Sequence, residues 1–182
     1  MLMTNPPATR TRADKQAFTL IELLVVISII AILASLSFPA VNGAIDSARK
    51  ARANSDVAQI ATAVVAYEVE YGRLPITNST TAGDFNSVVD LNFIKILTGE
   101  NTNANANPRK IVFIEVTDWK KGKGGTNSQG WGDPWDSNSL YSIVLDGNYD
   151  NRVDAGNPST NLIKKVAVWS TNSNTRRRVT SW

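Results

Sequence analysis

From Leu23 to Ile45 the chain carries no charged residue, and Glu22 stands alone at the head of that run. Leu23, Leu24, Val25, Val26, Ile27, Ile29, Ile30, Ile32 and Leu33 make its first half densely apolar. A helix of this length and composition is long enough to cross a bilayer. Residues 1–17 are polar and basic, with Arg10, Arg12 and Lys15 against Asp14. Such a leader stays in the cytoplasm while the long C-terminal part faces out. An ordinary secretory signal is cut after its apolar run. Here the most distinctive junction lies before the run, at Ala17-Phe18, and Pro39 and the unbroken apolar stretch argue against a cut after Ser37 or Ala40.

A carboxylate near the head of an apolar span is costly unless paired. Glu22 therefore has two readings. It snorkels to the membrane interface, or it meets a new α-amino group created by a cut before Phe18, four residues upstream. The second arrangement works best between neighbouring subunits, where the pair would also set their axial register.

The string Lys15-Gln16-Ala17-Phe18-Thr19-Leu20-Ile21-Glu22-Leu23-Leu24-Val25-Val26 resembles the cleavage and methylation motif of type IV prepilins and type II secretion pseudopilins. That family usually places Gly before the cut, where this chain has Ala17. The resemblance implies cleavage between Ala17 and Phe18 by a membrane aspartic prepilin peptidase. It also implies N-methylation of Phe18 and assembly of the mature chain into a filament through its N-terminal helix.

The helix continues past the apolar run. Ile45, Ala48 and Ala51, then Ala53, Val57, Ile60, Val64, Tyr67 and Tyr71, recur at spacings of three and four, while Asp46, Arg49, Lys50, Arg52, Asp56 and Glu68 are assigned to the polar faces. About 54 helical residues at about 1.5 Å each would reach roughly 80 Å. Pro39 removes one backbone hydrogen bond and predicts a kink or a loosened turn. Gly72, in the left-handed cap conformation, and Pro75 predict the helix end. The domain reading is a leader at 1–17, a transmembrane and polymerisation helix at 18–44, an amphipathic stalk half at 45–72 and a globular head at 73–182.

The head lacks Cys and His, as does the whole chain of 182 residues. Thiol, Ser-His and Cys-His catalysis, disulfides and cysteine-based zinc sites are excluded. No spaced carboxylate pair stands out, so no catalytic residue is assigned. The formal charge of +3 falls to about +1 once the leader is removed, and a nearly neutral body gives no case for nucleic-acid binding.

Residues 76–87 read as a loop, Val88–Leu97 as a short helix, and Thr98–Pro108 as a loop. Ile111–Val116, Leu140–Leu145 and Lys164–Trp169 read as strands, and Lys120–Gly130 as a flexible basic loop. The expected fold is α+β: a long N-terminal stalk helix packed on a small antiparallel sheet head, a pilin-like lollipop. Gly132-Asp133-Pro134-Trp135 resembles the turn before the sheet in major pseudopilins. Trp131 and Trp135 are assigned to the core or to subunit contacts.

Asp146, Asn148, Asp150 and Asp154 offer hard oxygens at alternate positions, as calcium prefers. The competing reading is an Asn- and Asp-rich hairpin turn between strands. The family resemblance pulls both ways. Major type II pseudopilins bind calcium in a C-terminal loop, yet the segment after Val168-Trp169-Ser170 contains no acid here. Arg176–Arg178 is a basic run that suits either DNA phosphates or, more commonly, a solvated turn or subunit salt bridge.

What the resemblance implies about function is a structural subunit of a pseudopilus supporting type II protein export. Its partners would be copies of itself, the prepilin peptidase, the membrane before assembly, and an inner-membrane assembly platform with a cytoplasmic ATPase. Its place would be the bacterial inner membrane, with the head in the periplasm or outside, and then a filament. The alternative is a type IV pilin, or a minor pilin that binds DNA or a surface ligand.

Overall fold

A computed structural model describes residues 18–76, 83–100, 105–156, 159–171 and 177–182, with the side chains of 36–40, 156 and 159 outside that set. The chain divides into two compact units, Met1–Gly43 and Ala44–Trp182. Helix α1, Leu20–Tyr71, contributes to both.

In the first unit, α1 turns its large apolar side chains to the outside: Leu20, Leu23, Ile27, Ile30 and Leu33 are all more than half exposed. Among its described side chains, the Ser28 hydroxyl donates to the Leu24 carbonyl at 2.7 Å and the Ser35 hydroxyl to the Ile32 carbonyl at 2.8 Å. Those two hydroxyls are thereby satisfied without outside help. Among the described residues no helix is long and apolar enough to cross a membrane. The side chains of 36–40, through which the charge-free run continues, lie outside the described residues, and so does the expected kink at Pro39.

In the second unit, α1 buries Ala53, Val57, Ile60, Ala63, Val64 and Tyr67. They pack in one cluster with Tyr141, Ile143, Leu145, Val166 and Val168 from the sheet. The sheet is antiparallel, in the order β1–β4–β7, from β1 Phe85–Val88, β4 Tyr141–Leu145 and β7 Val166–Ser170. The period-two alternation of β4 and β7 divides their side chains between two cores. Val144, Ala167 and Trp169 face the other way, onto Val153 and Ala155. Val153 and Ala155 belong to the hairpin of β5 Val153–Gly156 and β6 Ser159–Leu162. Both faces of β4 are thus covered, and so every residue of it is buried. The expected α+β class, a long helix with a small antiparallel sheet, is the observed one.

Helix α2, Leu91–Thr98, begins one turn later than expected because Val88 is held in β1. Asp90 caps it, accepting from the Phe93 N–H at 2.7 Å. Gly99 ends it at φ 77°, where a Cβ would lie 2.7 Å from the Lys110 carbonyl oxygen.

Four expectations are corrected. Ile111–Val116 is not a strand. Its backbone is used elsewhere: the Ile111 N–H and carbonyl both bond the buried Asn107 side chain, and the Phe113 N–H reaches the Leu97 carbonyl. Residues 85–87, expected as loop, and Val88, expected to open a helix, form edge strand β1, paired with β4 from Phe85–Leu145 to Val88–Ser142. Ile45, Ala48 and Ala51 are exposed, whereas Asp56 is fully buried and Asp46 and Arg49 are half-buried. The stripe drifts, and polar side chains take the inward positions because the head offers them partners there. Finally, Lys120–Gly130 is a hydrogen-bonded turn rather than an open loop. It runs into two short paired strands, β2 Gly125–Thr126 and β3 Trp131–Gly132.

Candidate functional site

Three places draw on the residues singled out in the sequence. The first is the start of α1. Phe18 is exposed, and Ala17 lies outside the described residues. The Thr19 N–H and Oγ1 both donate to Glu22 Oε2 at 2.8 Å, and the Glu22 N–H donates to Thr19 Oγ1 at 3.3 Å. These reciprocal bonds form a capping box, which satisfies backbone donors left orphaned at a helix start. The Thr-x-x-Glu spacing is legible in the sequence, but the motif resemblance absorbed it.

The second place is a buried carboxylate where α1 meets the head. Asp56 is completely inaccessible. Arg52 Nε lies 3.1 Å from its Oδ1, and the Tyr141 hydroxyl donates to its Oδ2 at 3.2 Å. Burial pushes the Asp56 carboxyl up to about 6, against the opposing pull of Arg52 and then of Tyr141. Burial, with the Asp56 charge next to it, also raises the Tyr141 hydroxyl. A Cβ on Gly124 would lie 3.1 Å from Asp56 Oδ2. Nearby, Trp135 Nε1 donates to Asp46 Oδ1 at 2.8 Å, and Trp131 is core. Trp135 therefore ties the head to α1, and Trp131 packs in the same cluster as the buried face of α1.

The third place is the acidic connection from β4 to β5. Asp146, at its start, is fully buried and accepts the N–H groups of Asp150 at 3.0 Å and Asn151 at 2.8 Å. Tyr149 and Asn151 take positive φ, 60° and 62°, to close the turn. Asn148 donates to Asp150 Oδ2 at 3.1 Å and accepts the Asp150 N–H at 3.2 Å. Carboxylate oxygens of Asp146, Asp150 and Asp84 come within 4.8 Å of one another. Asp84 was not among the residues read from the sequence, because it enters from just before β1, distant in the chain. Its Oδ2 accepts the Asp154 N–H at 3.0 Å, and its buried Oδ1 has no hydrogen-bond partner among the described residues. Burial first, and then the charges of Asp150, Asp146 and Asp154, raise the Asp84 carboxyl, while the Asp154 N–H opposes them. This loop is no hairpin turn, since β4 pairs with β1 and β7, and β5 with β6.

At the C-terminus Arg177 lies over the Trp135 ring, 5.9 Å from its centroid. Arg176 lies outside the described residues.

The start of α1 and the helix-plus-sheet head define a class, and comparison with known proteins agrees at the N-terminal end. Residues 12–38 match the prokaryotic N-terminal methylation motif. The resemblance to type IV pilin-like proteins and pseudopilins is thereby borne out. Among curated proteins, the chain is 42% identical over 66 residues to the type II secretion system core protein G of Escherichia coli (strain K12), covering 36% of this chain and 46% of that protein. It is 38% identical over 66 residues, with the same coverage, to the type II secretion system core protein G of Klebsiella michiganensis. The chain thus spans just under half the length of the curated relatives it matches. No solved structure matches it.

Proposed function

We propose that this chain is a structural subunit of a type II secretion pseudopilus. In this reading it is held in the bacterial inner membrane by its N-terminal helix, cut between Ala17 and Phe18 by a prepilin peptidase, and methylated on Phe18. It then polymerises through residues 18–44, while residues 45–72 form the amphipathic half of the stalk and 73–182 the head. The observation that carries the proposal is the matched motif at residues 12–38 on a helix whose large apolar side chains are exposed. The relatives are named for type II secretion and not for pili, which favours the pseudopilus over the type IV pilin alternative. Glu22 sets the register of neighbouring subunits against the Phe18 amine in the filament, and it caps α1 in the single chain. The platform and its ATPase act on this chain from outside it, and no catalysis is assigned to it. Expression together with a prepilin peptidase, the assembly platform and its ATPase tests the reading. Sheared filaments containing this chain support it, and a processed chain that stays dispersed refutes it.

A second proposal concerns calcium. The ligand set supports it: three carboxylates converge, and Asp84 offers a buried oxygen with no hydrogen-bond partner among the described residues. Asp84, Asp146 and Asp150 would hold the ion, with Asn148 and Asp154 at its margin. Each hundredfold excess of calcium over its Kd would add about 2.7 kcal/mol to head stability. A thermal melt with calcium and with a chelator reads this directly. Identical melting points for the natural chain would refute calcium binding. Asp84→Asn and Asp150→Asn should each abolish the calcium-dependent gain.

A further inference from the structure

The turn after Trp119 carries Lys120, Lys121 and Lys123, and all three side chains are exposed. The turn is firmly built. The Lys123 and Gly124 N–H groups donate to the Lys120 carbonyl at 2.9 and 3.1 Å, and the Gly122 N–H donates to the Pro134 carbonyl at 2.9 Å. Gly122 and Gly124 take φ of 85° and 67°, which a side chain would resist. Trp119 Nε1 pins the base by donating to the Asp133 carbonyl at 2.9 Å.

The turn sits on α1, where a Cβ on Gly122 would lie 3.7 Å from Arg49 Nε. Arg49 follows Ile45, the last residue of the charge-free run, by four positions. Lys50 and Arg52, on the same stretch of helix, are exposed.

Charge here is sorted by depth. Asp56 and Asp133 are fully buried, and Asp46 is bonded to Trp135. The exposed cations are Lys50, Arg52, Lys120, Lys121 and Lys123, whereas the exposed acids are Asp118 and Asp136. Among the described residues, Lys50 and the three turn lysines form no ion pair, while Arg52 is paired at its inner side with buried Asp56 at 3.1 Å. Elsewhere in the head, Lys165 pairs with Glu68 at 2.7 Å, and Arg109 pairs with Glu70. The inward acids leave a surface on which exposed cations outnumber exposed acids, and its field favours anions.

We propose that Lys120, Lys121 and Lys123, with Lys50 and Arg52, form a collar that rests on the anionic phospholipid headgroups of the membrane holding the apolar helix. The inference rests on the membrane-held precursor reading, and it adds a lipid preference and a resting posture for the head before assembly. Lysine ammonium groups are point charges on long stems, suited to a fluid layer of phosphates rather than to one fixed ligand. Extraction into a filament would then have to break these contacts, so the collar opposes release from the membrane.

The test is lysine footprinting on the full chain in nanodiscs of phosphatidylcholine alone or mixed with phosphatidylglycerol. Acylation at each lysine is read by mass spectrometry. In low salt, phosphatidylglycerol should slow acylation of Lys120, Lys121 and Lys123 several-fold and leave Lys110 and Lys164 unchanged. High salt should remove the difference, because screening shortens the reach of exposed charges. Equal rates in both lipids overturn the proposal. Equal protection by inorganic phosphate, with the chain in neutral detergent, overturns it in favour of a small-anion site. Stronger protection by duplex DNA than by phosphatidylglycerol overturns it in favour of a nucleic-acid face. A chain that enters neither disc refutes the membrane-held reading itself, which is a distinct result.

Discussion

The two halves of α1 make opposite use of apolar residues. In the first unit Leu, Ile and Val cover all sides of the helix and stay exposed. In the second, a stripe from Ala53 to Tyr67 is buried against the sheet and α2, and other faces carry charge. An all-round apolar helix is stable only when something else covers it, whereas a striped one is satisfied by its own chain. The difference separates what this chain covers by itself, the apolar face in the head, from apolar surface that its own described residues leave exposed.

The largest effect expected is on assembly. Glu22→Gln keeps an acceptor for the Thr19 cap and removes the charge. Filament yield after shearing should fall nearly to nothing while the head melts normally. Natural yield from this variant would reduce Glu22 to a helix cap. The next contrast lies within the helix. Ile60→Ala should cost the head about 2–5 kcal/mol in denaturant unfolding, the usual cost of emptying a packed site. Leu24→Ala should cost it nothing. A head equally sensitive to both would erase the distinction between the halves.

Asp56 sharpens the comparison through pH. Its folded value, about 6, lies above the ordinary 3.8, so the folded head holds the proton more tightly than the unfolded chain. The resulting stability is present in full below the ordinary value, declines across that interval and is lost above about 6. The swing is of order 3 kcal/mol. Asp56→Asn should flatten this part of the profile in melts from pH 4 to 7. Smaller still is Gly99→Ala, which should cost about 1 kcal/mol or more through its positive φ. Its close approach to the Lys110 carbonyl adds to that. A neutral result would mean that the turn relaxes freely.

Strong local signals were legible in the sequence. The long helix, its stop at Gly72, strands β4 and β7 and the acidic connection all follow from periodicity and turn chemistry. What escaped depended on partners distant in the chain. Strand β1 is short and polar, and only its ladder with β4 makes it a strand. Ile111–Val116 has strand-like residues, but Asn107 claims its backbone. Asp56 looked like a surface acid until Arg52 and Tyr141 met it in the interior. Asp84 joins the acidic cluster across more than sixty residues of sequence, a distance that no spacing rule covers.

The central claim is that residues 1–17 are a leader removed before Phe18. Intact mass of the protein, from cells with and without a prepilin peptidase, tests it most directly. The account predicts a chain that begins at Phe18 and carries one added methyl group, seen only when the peptidase is present. An uncut chain in both, or a cut near Ser37 or Ala40, would contradict it.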